Sequence, residues 1–156
     1  MITNNPAVTG IIDAINTVFE SFSQRRITCK GASLLQKDNC GGDIAVMIEL
    51  IGDLQGSLYM TMNTRTGCEI ASELLGGMEL DGVGELVISA VSELCNMIMG
   101  NACSNISGDS MQVDITPPTV MLGERFPLTS RHSVVSIPME LENVGIIDFD
   151  VALKTA

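Results

Sequence analysis

Positive charge is scarce in this sequence. Eight lysine and arginine residues stand against nineteen aspartate and glutamate residues, which gives a net charge of −11 at pH 7. Binding to nucleic acid through its phosphates needs the opposite balance, so that class of function is excluded. No basic residue lies between Arg65 and Arg125, whereas that stretch holds nine acidic residues. This acidic stretch favours a partner that presents a lysine or a divalent cation, although an acidic surface can also serve solubility alone.

Features of several other protein classes are also missing. The one histidine and the five scattered cysteines, without a C-x-x-C pair, predict reduced and mostly buried thiols rather than a metal site. No glycine-rich phosphate loop with its lysine follows a strand. A basic leader and a membrane-length apolar run are absent, which predicts a cytoplasmic protein. The length of 156 residues predicts a single domain over 1–156.

The periodicity of the apolar residues predicts the secondary structure. Spacings of three and four favour helices over residues 7–22, 64–75 and about 84–106. Alternation and β-branched composition predict strands over 27–36, 43–52, 54–63, 135–141 and 147–153. The strands on either side of Gly52 and Asp53 should form a hairpin. Residues 113–122 should be extended, because Pro117 and Pro118 exclude a helix there.

The order of these elements predicts an α+β fold, with a mostly antiparallel sheet and the two long helices packed on one face. A helix followed by a hairpin occurs twice, which suggests an internal duplication with little remaining sequence identity. Pro138 lies within a predicted strand, so that strand should be an edge strand or contain a bulge.

The third predicted helix has two distinct faces. Its apolar face should pack on the sheet and consists of Leu86, Val87, Ala90, Val91, Leu94, Met97 and Ile98. Residues at offsets of three and four form an opposing polar stripe of Glu85, Ser89, Glu93, Asn96, Gly100 and Cys103. No basic residue pairs with Glu93, Asn96 is a weak helix former, and Gly100 costs about 1 kcal/mol relative to alanine. Two explanations would account for a glycine at position 100: close approach of a partner molecule, or packing within the domain.

Two segments resemble a known family. Residues 85–101 (ELVISAVSELCNMIMGN) and 113–120 (VDITPPTV) are similar to the signature of the CheC/CheX/FliY phosphatases of bacterial chemotaxis, most of all to its CheX branch. The resemblance covers an S-x-x-x-E-x-x-N arrangement at Ser89, Glu93 and Asn96, the later prolines, and LLGGMEL at 74–80. An E-x-x-N pair alone arises often by chance, whereas its combination with Gly100 and VDITPP is specific.

This resemblance implies hydrolysis of the aspartyl phosphate of a CheY-like response regulator. Asn96 would position the attacking water, because a carboxamide donates and accepts hydrogen bonds at once. Glu93 would engage the regulator's own lysine, with Ser89 and Gly100 in the contact with the partner. The resemblance also implies that Mg²⁺ sits on the regulator, that this chain binds no cofactor, and that the protein is a homodimer.

Other readings remain open at this point. A non-catalytic adaptor or flagellar-switch-like module would dock a response regulator through the same helix without turnover. Asp13 and Asn16 repeat the acid-x-x-Asn spacing on the first helix and would form a second, vestigial site, although Asp replaces Glu and no proline run follows. His132 is a lone histidine near a strand start, a setting more typical of the surface than of a general base.

Overall fold

The computed structural model describes residues 5–35, 39–108, 110–127 and 134–155. The helices in these ranges are α1 (Pro6–Phe22), α2 (Thr64–Leu74) and α3 (Glu85–Ser107). The strands are β1 (Ile27–Cys29), β2 (Ser33–Leu35), β3 (Asn39–Gly41), β4 (Ile44–Gly52), β5 (Leu54–Met62), β6 (Val113–Ile115), β7 (Thr119–Leu122), β8 (Arg125–Pro127), β9 (Val134–Leu141) and β10 (Gly145–Thr155). The predicted α+β class and the β4–β5 hairpin are confirmed.

Eight of these strands form one antiparallel sheet in the order β1-β9-β10-β5-β4-β6, in which β2 also pairs with β9 and β7 also pairs with β4. The strands β3 and β8 form a separate two-stranded ribbon. Each half of the chain contributes a helix, a divided edge strand, one ribbon strand and a hairpin. The halves meet where β5 pairs with β10 and β3 pairs with β8, so the topology contains the internal repeat suggested by the sequence.

The main hydrophobic core lies between the helices and one face of the sheet. Alternate strand residues point into it, among them Val46, Ile48, Leu58, Met60, Ile137, Met139, Phe149 and Val151. The helices α1 and α3 also contact each other, and Nδ2 of Asn105 donates to the carbonyl of Gly10 at 3.1 Å. Gly10 permits this approach, because a Cβ atom there would lie 2.9 Å from Cγ1 of Ile106. A smaller cluster of Ala45, Tyr59 and Phe126 lies apart from this core.

The ends of α2 follow from its sequence. Asn63 caps the helix, because its Oδ1 atom accepts the N–H of Thr66 at 2.8 Å. The chain leaves the helix through Gly76 and Gly77, whose φ angles of 77° and 97° lie in the left-handed region that glycine tolerates. Both signals, the asparagine cap and the glycine stop, are local features of the sequence.

The edge strand formed by β1 and β2 contains a bulge. From Cys29 to Ser33 the chain advances four residues, while the paired strand β9 advances three, from Met139 to Ser136. Gly31, with φ of 113°, makes this conformation accessible. The sequence predicted one continuous strand over 27–36, and the extra residue divides it.

Pro138 lies opposite this bulge. The prediction of an edge strand was wrong, because β9 is paired on both sides, with β10 and with β1 and β2. The alternative of a bulge describes the site better. The carbonyl of Pro138 accepts the N–H of Lys30 at 2.8 Å, so its nitrogen faces the same interrupted edge, where a missing donor does little harm.

The buried side of α3 differs from the prediction at both ends. Leu86, predicted as core, is 48% exposed, and Cys103, predicted on the polar stripe, is only 9% exposed. Cys95 and Met99 are fully buried as well. The reason is that α1 packs against the C-terminal part of α3 and buries a second side of it, whereas in the first turn Val87 alone is buried.

Among the described residues, one helix, α3, is long and apolar enough to span a membrane, judged by length and composition alone. Its buried residues contact α1, α2 and the sheet, as those of a central helix in a soluble domain do. Its hydropathy is therefore explained by the core, and the cytoplasmic location stays a prediction.

Candidate functional site

An open cleft of about 650 Å³ lies between α3 and the connection from β6 to β7. The wall from α3 consists of Ile88, Ser89, Ser92, Glu93 and Asn96. The opposite wall consists of Ile115, Thr116, Pro117 and Pro118. Three residues predicted from the sequence, Ser89, Glu93 and Asn96, thus share one surface with the VDITPP segment, which the spacing alone did not establish.

The α3 wall presents its polar groups without internal partners. Ser89 and Glu93 are exposed and Asn96 is half-buried, while Leu94 and Cys95 are buried on the other side of the helix. Within the described part of the chain, no hydrogen bond or ion pair holds the side chain of Glu93 or Asn96. A carboxylate and a carboxamide one helical turn apart are thus both available to a group from outside.

Gly100 continues the same stripe one turn after Asn96. It is exposed, and a Cβ atom added there would meet no described atom within 4 Å. Packing within the described domain therefore does not require glycine at this position. Cys103, the last predicted member of the stripe, is instead part of the core.

The opposite wall is an edge strand with few free backbone donors. The N–H of Ile115 donates to Oδ1 of Asp114 at 2.8 Å. The N–H of Thr116 donates to the carbonyl of Glu49 in β4 at 3.0 Å, and the N–H of Glu49 donates back to Oγ1 of Thr116 at 3.0 Å. The next two residues are prolines and have no N–H. Each backbone donor of residues 115–118 is thus satisfied or absent, which also protects the sheet edge.

This wall is a second bulge, the counterpart of the one between β1 and β2. Ile115 pairs with Leu50 and Thr119 pairs with Met47, so three residues on the edge oppose two on β4 between these pairs. Pro117 and Pro118, here called the proline rim, lie inside the bulge and line the cleft. The sequence predicted an extended segment from these prolines but missed the role of Thr116, whose only signal was its position just before them.

The acid-x-x-Asn pair on α1 lies elsewhere. Asp13 is exposed and Asn16 half-buried, and neither lines the cleft on α3. The corresponding bulge in the first half of the chain contains Lys30, Gly31 and Ala32 in place of the prolines. Among the described residues, this pair therefore lacks a proline-lined second wall of the kind that faces Glu93 and Asn96.

Three of the described cysteines are free thiols in the core. Cys68, Cys95 and Cys103 are buried, and burial raises the pKa of each thiol, with Asp81 and Glu69 adding to the effect at Cys68. Among the described residues, no group of three or more histidine, cysteine, aspartate or glutamate side chains is arranged to hold a metal ion. His132 lies outside the described residues.

Comparisons with known proteins agree with this fold. The family model described as chemotaxis phosphatase CheX matches residues 44–140. The CheY-P phosphatase CheX of Thermotoga maritima is 30% identical over 112 residues, which is 72% of each chain. A solved CheX from Desulfovibrio desulfuricans superposes with a TM-score of 0.85 at 19% identity, covering 95% of this chain and 99% of the other.

A further solved structure, the CheX-CheY-BeF₃-Mg²⁺ complex from Borrelia burgdorferi, gives a TM-score of 0.81 at 24% identity and covers 95% of this chain and 97% of the other. At these identities the two structures establish the fold. The family model spans more than half of the chain and includes both walls of the cleft. The chain therefore belongs to the CheX family of chemotaxis phosphatases.

Proposed function

We propose that this protein hydrolyses the aspartyl phosphate of a CheY-like response regulator, with Asn96 positioning the water and Glu93 engaging the regulator's lysine. The main support is that these two side chains, which have no partner among the described residues, line one open cleft beside the proline rim. The Thermotoga relative is named a CheY-P phosphatase, and the Borrelia structure is a complex of CheX with CheY.

In the proposed reaction the water oxygen forms a bond to phosphorus as the bond to the aspartyl oxygen breaks. The aspartate carboxylate leaves with the bonding electron pair, and the phosphate, which carries both protons of the water, is released as H₂PO₄⁻. The carbonyl oxygen of Asn96 accepts a hydrogen bond from the water, and its amide group donates to a phosphoryl oxygen. A carboxamide is a poor base, so its contribution is orientation of the nucleophile in line with the scissile bond.

Glu93 contributes recognition in this proposal. It is exposed, and no basic residue of this chain lies between Arg65 and Arg125 to compete for it. A lysine of the regulator is therefore its natural counter-ion, and that pairing would fix the direction in which the regulator docks on α3. The acidic surroundings would also increase the rate of encounter with a partner that carries positive charge at its active site.

Mg²⁺ belongs to the regulator in this proposal, as a neutralising charge for the phosphoryl group. On this chain the cleft offers one carboxylate, Glu93, together with hydroxyl and amide groups. That set is too sparse for a dedicated magnesium site, which uses carboxylates together with substrate phosphates and waters. The BeF₃ and Mg²⁺ in the Borrelia complex agree with this assignment, since CheY is present there as well.

Ser89 and Gly100 complete the proposed contact surface at its two ends. Ser89 is exposed on the cleft wall one turn before Glu93, where its hydroxyl can bond a backbone group of the regulator. Gly100 has open space where a side chain would be, so the regulator's backbone can approach the helix closely there.

The decisive test separates turnover from docking. Phosphate loss from a phosphorylated CheY-like receiver domain is measured with and without this protein, and binding of the same receiver domain is measured in parallel. We expect acceleration by the wild type. Binding without acceleration would instead support the alternative function, a non-catalytic adaptor or flagellar-switch-like module.

The proposal also includes one domain over 1–156 and a homodimer joined at a sheet edge. The main core draws residues from α1 through β10, which supports a single domain.

The dimer would form at an outer strand of the sheet. The outer strands β2 and β7 expose Leu34 and Leu122, at 56% and 55%, and a sheet edge is where a second chain can add. Light scattering coupled to gel filtration should give the mass of two chains, and a monomeric mass at micromolar concentration would refute the dimer.

A further inference from the structure

The proline rim has little backbone hydrogen bonding of its own. Pro117 and Pro118 have no N–H to donate, and they lie within a bulge where the β4 ladder is interrupted. On the N-terminal side of the rim, the attachment to β4 is made by Thr116 through two hydrogen bonds to Glu49, each 3.0 Å long. One of these uses the backbone of Thr116 and the other its hydroxyl oxygen.

The hydroxyl of Thr116 therefore has a specific structural task. In a regular ladder the N–H of Glu49 would donate to a backbone carbonyl of the neighbouring strand, and the bulge displaces that carbonyl. Oγ1 of Thr116 takes its place. Thr116 is half-buried in the wall of the cleft, so a change in this bond would shift the rim relative to α3.

The rim faces the side of α3 that carries Glu93 and Asn96, and the rim and this side of α3 form the two walls of the cleft. A regulator that brings its phosphoryl group to Asn96 must place an adjacent loop in that cleft. Proline fixes its own φ angle, so a rim that is also tied to β4 loses little conformational freedom when the loop binds. Without the tie, part of the binding free energy would go into ordering the rim.

We propose that Thr116 is a positioning residue, which holds the proline rim as a preformed docking wall for the loop of the response regulator next to the phosphorylated aspartate. This rests on the proposed function for its partner. It assigns Thr116 an effect on docking and thus on KM, whereas Asn96 acts on the chemical step and thus on kcat. Thr116 touches neither the water nor the phosphoryl group in this arrangement.

The test compares Thr116→Val with Thr116→Ser. Valine keeps the shape of threonine but removes the hydroxyl acceptor, and serine keeps the acceptor. Thr119→Val is the matched control, because Thr119 is exposed three residues further on in β7, does not line the cleft, and forms no side-chain hydrogen bond to another described residue. For Thr116→Val we expect KM for the phosphorylated receiver domain to rise roughly three- to tenfold, the range of one neutral hydrogen bond, with kcat within twofold.

Two further measurements keep the outcome clear. Hydrogen exchange at the Glu49 amide should accelerate in Thr116→Val and stay slow in Thr116→Ser, which reports the bond itself. The dissociation constant for the receiver domain treated with beryllofluoride and Mg²⁺ should rise by the same factor as KM. This binding readout also tests Thr116 if the wild type proves to have no turnover, so failure of the proposed function is distinguishable from failure of this inference.

An unchanged KM and dissociation constant in Thr116→Val, with the Glu49 amide exchanging faster, would overturn the proposal. An equal rise in Thr116→Ser or in Thr119→Val would overturn it too, because the hydroxyl would then not be the cause. A fall in kcat at constant KM would assign Thr116 to the chemical step instead. Should Thr116→Val fold poorly, Thr116→Ala measured by the same binding assay gives the same discrimination.

Discussion

Asn96 is half-buried and Glu93 is exposed, although the two lie one helical turn apart and line the same cleft. As a residue, Asn96 is thus packed more closely against the protein, while Glu93 extends further into solvent. This difference matches the proposed division of roles. Orientation of a water molecule benefits from a side chain with restricted motion, and capture of a partner's lysine benefits from one that extends outward.

Glu93→Gln should weaken docking. Glutamine keeps the shape of the side chain but removes the charge that would pair with the regulator's lysine. We expect KM to rise about tenfold, which corresponds to about 1.4 kcal/mol, and the dependence of KM on salt to become shallower. Glu85→Gln is the control, because Glu85 is exposed on the same helix outside the cleft. Equal effects of the two substitutions would contradict a specific contact at Glu93.

Gly100→Ala should stabilise the fold and lower the phosphatase activity. Alanine in a helix is favoured over glycine by roughly 0.5–1 kcal/mol, and the added Cβ has open space in the free protein. The same Cβ would obstruct a partner, so phosphatase activity should fall about tenfold if the contact is close. Urea unfolding and phosphate release measure the two effects, with Thr17→Ala at an exposed position of α1 as control. A stabilised variant with full activity would exclude close approach at Gly100.

The observed burial on α3 predicts a large loss of stability for one leucine-to-alanine substitution and a small loss for another. Leu94 is fully buried, so Leu94→Ala should lower the free energy of unfolding by about 2–5 kcal/mol. Leu86 is 48% exposed, so Leu86→Ala should cost less than about 1 kcal/mol. Urea titrations of both variants check the pair. A large loss from Leu86→Ala would contradict its exposure.

Cys95 should resist alkylation in the native protein. Burial raises the pKa of its thiol, so the reactive thiolate is scarce at neutral pH and iodoacetamide has no access to it. Cys29 is only partly buried and should be labelled first. Peptide mass mapping after labelling, with and without urea, measures both sites. Rapid native labelling of Cys95 would contradict the packing of α3.

Much of this fold follows from local patterns. The three helices and the β4–β5 hairpin follow from the period of the apolar residues. The ends of α2 follow from the Asn63 cap and the two glycines after the helix. All of these are short-range signals. The internal repeat was visible only as a repeated order of elements. The ribbon of β3 and β8 was missed, because pairing between two three-residue strands far apart in sequence leaves no periodic trace.

The errors have a common physical origin in long-range packing. The spacing on α3 separates an apolar from a polar face, but it cannot show that α1 covers a second side and buries Cys103 while Leu86 stays exposed. The bulge that contains Pro117 and Pro118 also left no signal in the sequence. The two prolines predicted extension at 113–122, whereas the tie between Thr116 and Glu49 depends on a strand more than sixty residues earlier.

The candidate site was predicted from residue types more than from geometry. Ser89, Glu93 and Asn96 stood out because a helix surface without basic partners and with a costly glycine is unfavourable for stability alone. That they face the VDITPP segment across a cleft required the structure. The catalytic roles of Asn96 and Glu93 remain proposals, to be decided by the variants themselves.

The most direct test of the central claim is single-turnover dephosphorylation of a phosphorylated receiver domain by a saturating excess of wild type or of Asn96→Ala. We predict a loss of about 100-fold in the first-order rate, because misplacing the nucleophile by about 1 Å has an effect of that size, with binding of the receiver domain retained. Asn101→Ala, on the same helix outside the cleft, should keep the wild-type rate. A rate for Asn96→Ala equal to that of the wild type would contradict the account.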